Sequence, residues 1–597
     1  MSRMKSIFLV LLLTAIVSSV AVAQTVEVTI AGSSAMWQTM ALGAFKAAGA
    51  NAGHWTSNGN NIGLTDSRVT PANVDLGTIW IVWNSTATKV WSYNKVDSVV
   101  GDRCYFAQPQ CSVNGTLANL SGPGSQKIST VLWGADSALP SNVQSLFVTG
   151  TPVTVAATDI RPEDANFAIC RVNSILGSGS NGGAHSDGLD GLGYNTVNDS
   201  GVCPASGLGS SAYVGSAIKS GYPGSSATAN VLAFNIKGKD PISGTNIPAF
   251  TVVEVGASPM VFVASDNGSL STFRNASTQQ LQQAFSGTDC DASAFGLSSG
   301  GINIFLREPL SGTMNTTEAT VFRKPTTYPG SVLGLSQEAN VGSLNALAGQ
   351  SSACLNGSGA RWRAIGTGEE VNSVHDSTTK YGNGFDGVGY TFFSYGNIGA
   401  IANNTSYEYV TLNDVDPIFA SYGPQSSTGA GYDPGQPATA ANPGLLPAAA
   451  NLTLCSGAFP CPENKIWKDG LSFPNLRNGT YSAWSVLRLV SNGTGLTNAK
   501  TLVKNSQAFV VDDVPDYVPA TKTVGATQTD PGLLLVRSHY QQYDGSGALL
   551  GAAPANCGTA EAGGDMGGTI LTFIAAKTCP TTPTQDVQGN QGRQVRP

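Results

Sequence analysis

Apolar residues recur at every second position where the ordered part of the chain begins. In TVEVTIAG (25–32) these are Val26, Val28 and Ile30, the period of a half-buried strand. Gly32-Ser33-Ser34 breaks the run, and Met36, Met40 and Phe45, set among alanines, then follow a helical spacing. The same strand, turn and helix order returns at INIFLREPLSGTMNTTEATVFR (302–323). Further strands are expected at VDLGTIWIVWN (74–84), KVWSYNKVDSVVG (89–101), PVTVAATDIRPEDA (152–165), FTVVEVGASPMVFVAS (250–265), GVGYTFFSYGN (387–397) and GTYSAWSVLRLVSN (479–492). Helices are expected at PSNVQSLFVTG (140–150), at STQQLQQAFSG (277–287), closed by Gly287, and at NAKTLVKNSQAFVV (498–511). Residues 102–130 and 177–226 read as loops rich in Gly, Asn and Ser or Cys, 421–463 as a Pro/Gly/Ala-rich insertion, and 580–597 as a disordered tail. Strands alternating with helices predict an α/β protein, whose ligands collect beyond the carboxyl ends of strands.

Composition narrows the class. The chain has 597 residues, roughly three or four domains' worth of length. Charged residues are 12%, the formal net charge is -7 and Gly reaches 71, so neutral polar groups carry solubility. That balance excludes the basic face that nucleic acid requires. At the N-terminus Arg3 and Lys5 precede IFLVLLLTAIV and then SSVAVAQ, the layout of a signal peptide (1–23) cleaved after Ala23. The apolar run is short for a membrane span, and no other stretch reads as one. A periplasmic or secreted mature chain is therefore expected. Ten cysteines, an even number in an exported chain, favour disulfides over metal, with the pairing left open.

Three expected strand ends carry polar groups suited to a small oxyanion. Gly32, Ser33, Ser34 and Ala35 offer backbone and hydroxyl donors at a helix start. Arg307 offers a guanidinium fork, followed by Ser311, Gly312 and Thr313 at the next helix start. Asp159 offers an acceptor for a proton carried by the ligand. Each has an ordinary alternative: a cap for the serines, a local turn for the aspartate, a surface arginine for Arg307. Other motifs are weaker. GLSSG (296–300) fits the nucleophile-elbow pattern around Ser298, but in a Ser/Gly loop. The four histidines lack metal-ligand spacing, and His185, Asp187 and Asp190 lack that of a calcium loop. Neither metal nor cofactor is expected.

The order of these motifs resembles the periplasmic phosphate-binding proteins of ABC importers. TIAGSSAMW matches that family's opening turn, VAATDIRP its acceptor strand, and REPLSGT the spacing of its arginine turn. AFSG (284–287), the Gly-rich turn AIGTGEEVNSV (364–374) and AWSVLRLV keep the family's context. Departures are Pro309 and Leu310 after the arginine, and Ala35 and Met36 in the first turn. The family's turn after the first helix has its nearest candidate in TSNGNNIG (56–63). The resemblance implies a type II, two-lobed periplasmic-binding fold that captures phosphate or a similar oxyanion without catalysis, with an ABC permease as partner. It places lobe one at 24–258, with insertions near 102–150 and 177–226, and lobe two at 259–420. The insertion then extends over 421–473, the chain returns to lobe one at 474–525, and 526–597 is a C-terminal extension. Two other readings stay open: an exported surface or matrix protein reusing this fold, and an exported hydrolase built on Ser298.

Overall fold

The computed structural model describes residues 24–68, 72–128, 133–162, 165, 234–236, 238–240, 242–265, 268–308, 310–322, 324–325, 332–333, 337, 351–393, 407–415, 417, 481–506, 522–524 and 528–530. The expected loop 177–226, the insertion 421–463, the tail and the His185 cluster lie outside these residues, as do Cys170, Cys203, Cys455, Cys461, Cys557 and Cys579.

The opening alternation becomes strand β1 (Thr25–Gly32), and helix α1 (Trp37–Ala48) follows it. The chain then forms β2 (Gly53–Thr56), β3 (Ile62–Asp66), β4 (Asn73–Trp83) and β5 (Lys89–Lys95). Here the structure departs from the expected strand 89–101. The strand stops at Lys95, and Ser98–Phe106 is a helix, α2, reaching into the expected loop. Val96, Val99 and Val100 are apolar in either conformation, so periodicity alone did not separate the two. After α2 come β6 (Ser112–Asn114), α3 (Ser141–Thr149) and β7 (Val155–Thr158).

Strand β8 (Thr251–Ser265) has 15 residues, about 50 Å of extended chain, and joins two halves of one mixed sheet. Its first part pairs antiparallel with β13 (Trp484–Ser491). Its last residues pair with β11 (Asp386–Phe392) on one side and β12 (Tyr407–Leu412) on the other. Between them in sequence lie α4 (Thr278–Phe285), β9 (Ile302–Arg307), α5 (Gly312–Thr317), β10 (Ala360–Ala364) and α6 (Thr367–His375). The sheet runs β10-β9-β11-β8-β13-β7-β1-β5-β4-β3-β6. The result is a mixed α/β fold in two lobes: β1–β7 make the first, β9–β12 the second, and β8 crosses between them.

Side chains alternate across this sheet as the period of two requires. Trp80 and Val82 enter one core, while Ile79, Ile81 and Trp83 enter the other. The first core continues through Phe262, Ile302, Ile304 and Tyr390 into the second lobe. Helix α7 (Gly493–Ser506) follows β13 and lies on α1 so closely that a Cβ on Gly43 would sit 2.3 Å from the Leu502 carbonyl oxygen. Disulfide Cys104–Cys111 ties α2 to the start of β6, and Cys290–Cys354 ties the segment after α4 to the approach to β10. Among the described residues no helix is long and apolar enough to cross a membrane.

Candidate functional site

Parallel strands β1, β5, β7, β9 and β10 end near one another, and each is followed by a turn that carries a polar side chain. After β1, the Ser33 amide donates to the Ala157 carbonyl at 2.8 Å and its hydroxyl donates to Asp159. That hydroxyl also accepts the Ala35 amide at 3.0 Å, while Ala35 itself is packed in the first core. Gly32 takes φ +134, and a Cβ there would lie 2.0 Å from the Ala157 oxygen, so only glycine allows β1 and β7 to approach this closely.

Asp159, 3% exposed, follows β7. Its amide donates to the Ser98 hydroxyl at 3.2 Å, and its carbonyl accepts from Ser485 and from Arg488 at 3.3 Å. Burial pushes its carboxyl up to about 6, against donation from Ser33 and Ser98 and the charges of Arg307 and Arg488. The turn after β9 comes to it from the second lobe. Ser311 caps α5 by accepting the Met314 amide at 3.3 Å, and Gly312 packs so close that a Cβ would fall 2.6 Å from Asp159 Oδ2 and 2.4 Å from Ser98 Oγ. Thr313 is buried in the same turn. Ser33, Asp159, Ser311, Gly312 and Thr313 thus form one dry junction between the lobes.

Ser34 and Arg307 line the adjoining cavity, of about 180 Å³, room for a small oxyanion with water. Its other walls include Asn60, Lys95, Asp97, Glu308, Gly366, Thr367 and Glu369. Lys95 Nζ stands 4.8 Å from the Trp37 ring centroid. The Arg307 fork is not open as expected. Its Nε and Nη2 each donate to a Glu308 oxygen at 2.8 Å, and Nη1 donates to Thr367 Oγ1 at 2.6 Å. Glu308 also accepts the Gly366 amide, at 3.2 and 3.1 Å to its two oxygens, where α6 begins.

Asp97 lines the same cavity wall as Glu308; burial pushes it well above the ordinary carboxylate range, and the charge of Glu308 pushes it further, so Asp97 is the carboxyl of the two that favours its protonated form. Burial also pushes Glu308 up, but the Arg307 guanidinium outweighs this and holds it down to about 2. Glu370 lies behind them, its Oε2 3.9 Å from Arg307 Nε, and burial pushes its carboxyl well up. Arg363 on β10 fixes the Arg307 carbonyl at 2.5 Å.

Sequence reasoning did not select Asp97, Glu308, Thr367 or Glu370. Asp97-Ser98 had the signal of a polar pair at a strand's carboxyl end, hidden because that strand was carried through to 101. Glu308 carries no signal of its own in the sequence, since neighbouring strand residues face opposite ways. The pairing arises because β9 ends at Arg307 and the chain turns there. Asn60, from the 56–63 candidate, does reach the cavity. Ser298 is exposed in a loop leading into β9 and not at a strand-to-helix elbow.

No protein-family model matches the chain, and no curated protein matches it. Solved structures do. A DING protein is 14% identical, with TM-score 0.31 over 80% of this chain and 85% of that one. A phosphate-binding protein from Stenotrophomonas maltophilia is 14% identical, with TM-score 0.27 over 71% of this chain and 79% of that one. A Clostridium perfringens substrate-binding protein with bound phosphate is 13% identical, with TM-score 0.23 over 43% of this chain; the chain spans 65% of that protein, less than two thirds of its length.

Proposed function

We propose that this chain is an exported solute-binding protein that captures phosphate or a similar small oxyanion in the cavity between its lobes. The observation that carries the reading is the Arg307 turn. The buried Arg307 guanidinium and the Gly366 amide converge on one carboxylate, donors that a tetrahedral oxyanion would use, and the third guanidinium nitrogen is held by the Thr367 hydroxyl, which accepts from it. Asp159, with Ser33 and the Ser311–Thr313 turn, lies at the junction adjoining the cavity and not on its wall, and becomes the acceptor for a proton on the ligand once the lobes part. The first and second lobes supply opposite walls, so ligand capture works by closure about β8 and β13. Delivery to an ABC permease is part of this proposal, and the two disulfides accord with export. The role is binding without catalysis.

The test is calorimetric titration of the purified chain with phosphate, arsenate and sulfate. Binding of phosphate and arsenate is expected, with sulfate weaker because it brings no proton to Asp159 at neutral pH. No heat with any of the three removes the oxyanion reading and leaves a surface or matrix role.

A further inference from the structure

The oxyanion's place on Arg307 is already filled by the chain itself. Both Glu308 oxygens meet the guanidinium, at 2.8 Å each, and the Gly366 amide at the start of α6 reaches the same carboxylate. Glu308 is fully buried, on the wall of the cavity. We propose that Glu308 is a built-in competitor for the ligand: an oxyanion must displace its carboxylate from Arg307, and does so with uptake of a proton by the Glu308–Asp97 pair. This deepens the oxyanion reading and rests on it.

The charges around the pair set the direction. Arg307 and Glu370 face it from the second lobe and Asp75 from the first, and Lys95 and Glu369 line the same cavity. Arg307, bonded to both its oxygens, is the group that keeps Glu308 ionised against burial, while burial and the charge of Glu308 keep Asp97 in its protonated form. An anion that takes the Arg307 fork leaves Glu308 buried among acids without its counter-ion. Its carboxyl then rises from about 2 to above the ordinary value and takes a proton. The affinity is therefore highest at low pH and falls as pH rises through the displaced carboxyl's raised value. Glutamine at 308 presents no charge to Arg307 and takes up no proton.

The experiment titrates the parent chain and Glu308→Gln with inorganic phosphate at about pH 5 and about pH 8, in buffers of different ionisation enthalpy. Phosphate's own protonation is common to both chains, so their difference is the readout. Parent binding is expected to take up about one proton more than the variant at the lower pH. The variant is expected to bind at least roughly tenfold tighter than the parent at the higher pH. The proton count of the parent needs no variant, and an uptake beyond that of phosphate itself supports the proposal even where Glu308→Gln does not fold. Equal proton counts with no tighter binding by the variant overturn this proposal and leave the oxyanion site standing. No phosphate binding by either chain at either pH overturns both. Binding by the variant alone supports the competitor directly.

Discussion

Asp159 is buried at the junction between the lobes, and that placement affects stability. It is buried beside two hydroxyl donors, and burial still raises its carboxyl to about 6. For an acid whose folded value lies above its unfolded one, folding is unpenalised below the unfolded value and loses stability as pH rises through the folded one. Between about pH 4 and about pH 6 this amounts to on the order of 3 kcal/mol. Asp159→Asn keeps an oxygen to accept from Ser33 and removes the charge. Urea denaturation should show the variant more stable than the parent near neutral pH and similar near about pH 4. A variant weakened equally at both values contradicts this account of the residue. At this scale the sequence was legible where hydrogen-bonding chemistry sits alone at a strand end, as in Gly32-Ser33 and Asp159. It was not legible where side chains meet only in three dimensions: Glu308 and Asp97 belong to different lobes, and no spacing in one chain relates them.

The element that joins the lobes at the site is the first turn of α5. Gly312 has no room for a Cβ, because Asp159 and Ser98 stand where it would project. Gly312→Ala should cost about 1–3 kcal/mol as the turn and the opposite lobe are forced apart. Chemical denaturation measures the loss, and a stability equal to the parent's contradicts the close contact. Most elements followed their periodicity. β1, β4, β8 and β11 form within a few residues of the expected spans, because two-residue alternation or a long apolar run leaves few alternatives. α6 was read as a Gly-rich turn, since Gly366 and Gly368 conceal a helix that Val371 and Val374 anchor in the buried side. α2 was missed because a valine run satisfies strand and helix alike.

At the scale of the molecule, one sheet runs through both lobes, and β8 with β13 carries the chain between them. The closure proposed above would act by changing a few dihedrals where those strands cross. The cavity lies at that division, with Lys95 and Asp97 on one wall and Arg307, Gly366 and Thr367 on the other. The α/β class was readable from alternating elements. The join was not, since it depends on which strands pair across more than 200 positions of sequence, as Trp484 with Pro259 do. The account rests most on Arg307, whose guanidinium is the cation that an oxyanion would meet. Titration of the parent and of Arg307→Ala with phosphate at acidic pH tests it most directly. The account predicts binding by the parent and a loss of roughly 2–5 kcal/mol, a factor of about 30 or more, in the variant. A folded Arg307→Ala chain that binds phosphate as tightly as the parent would contradict it.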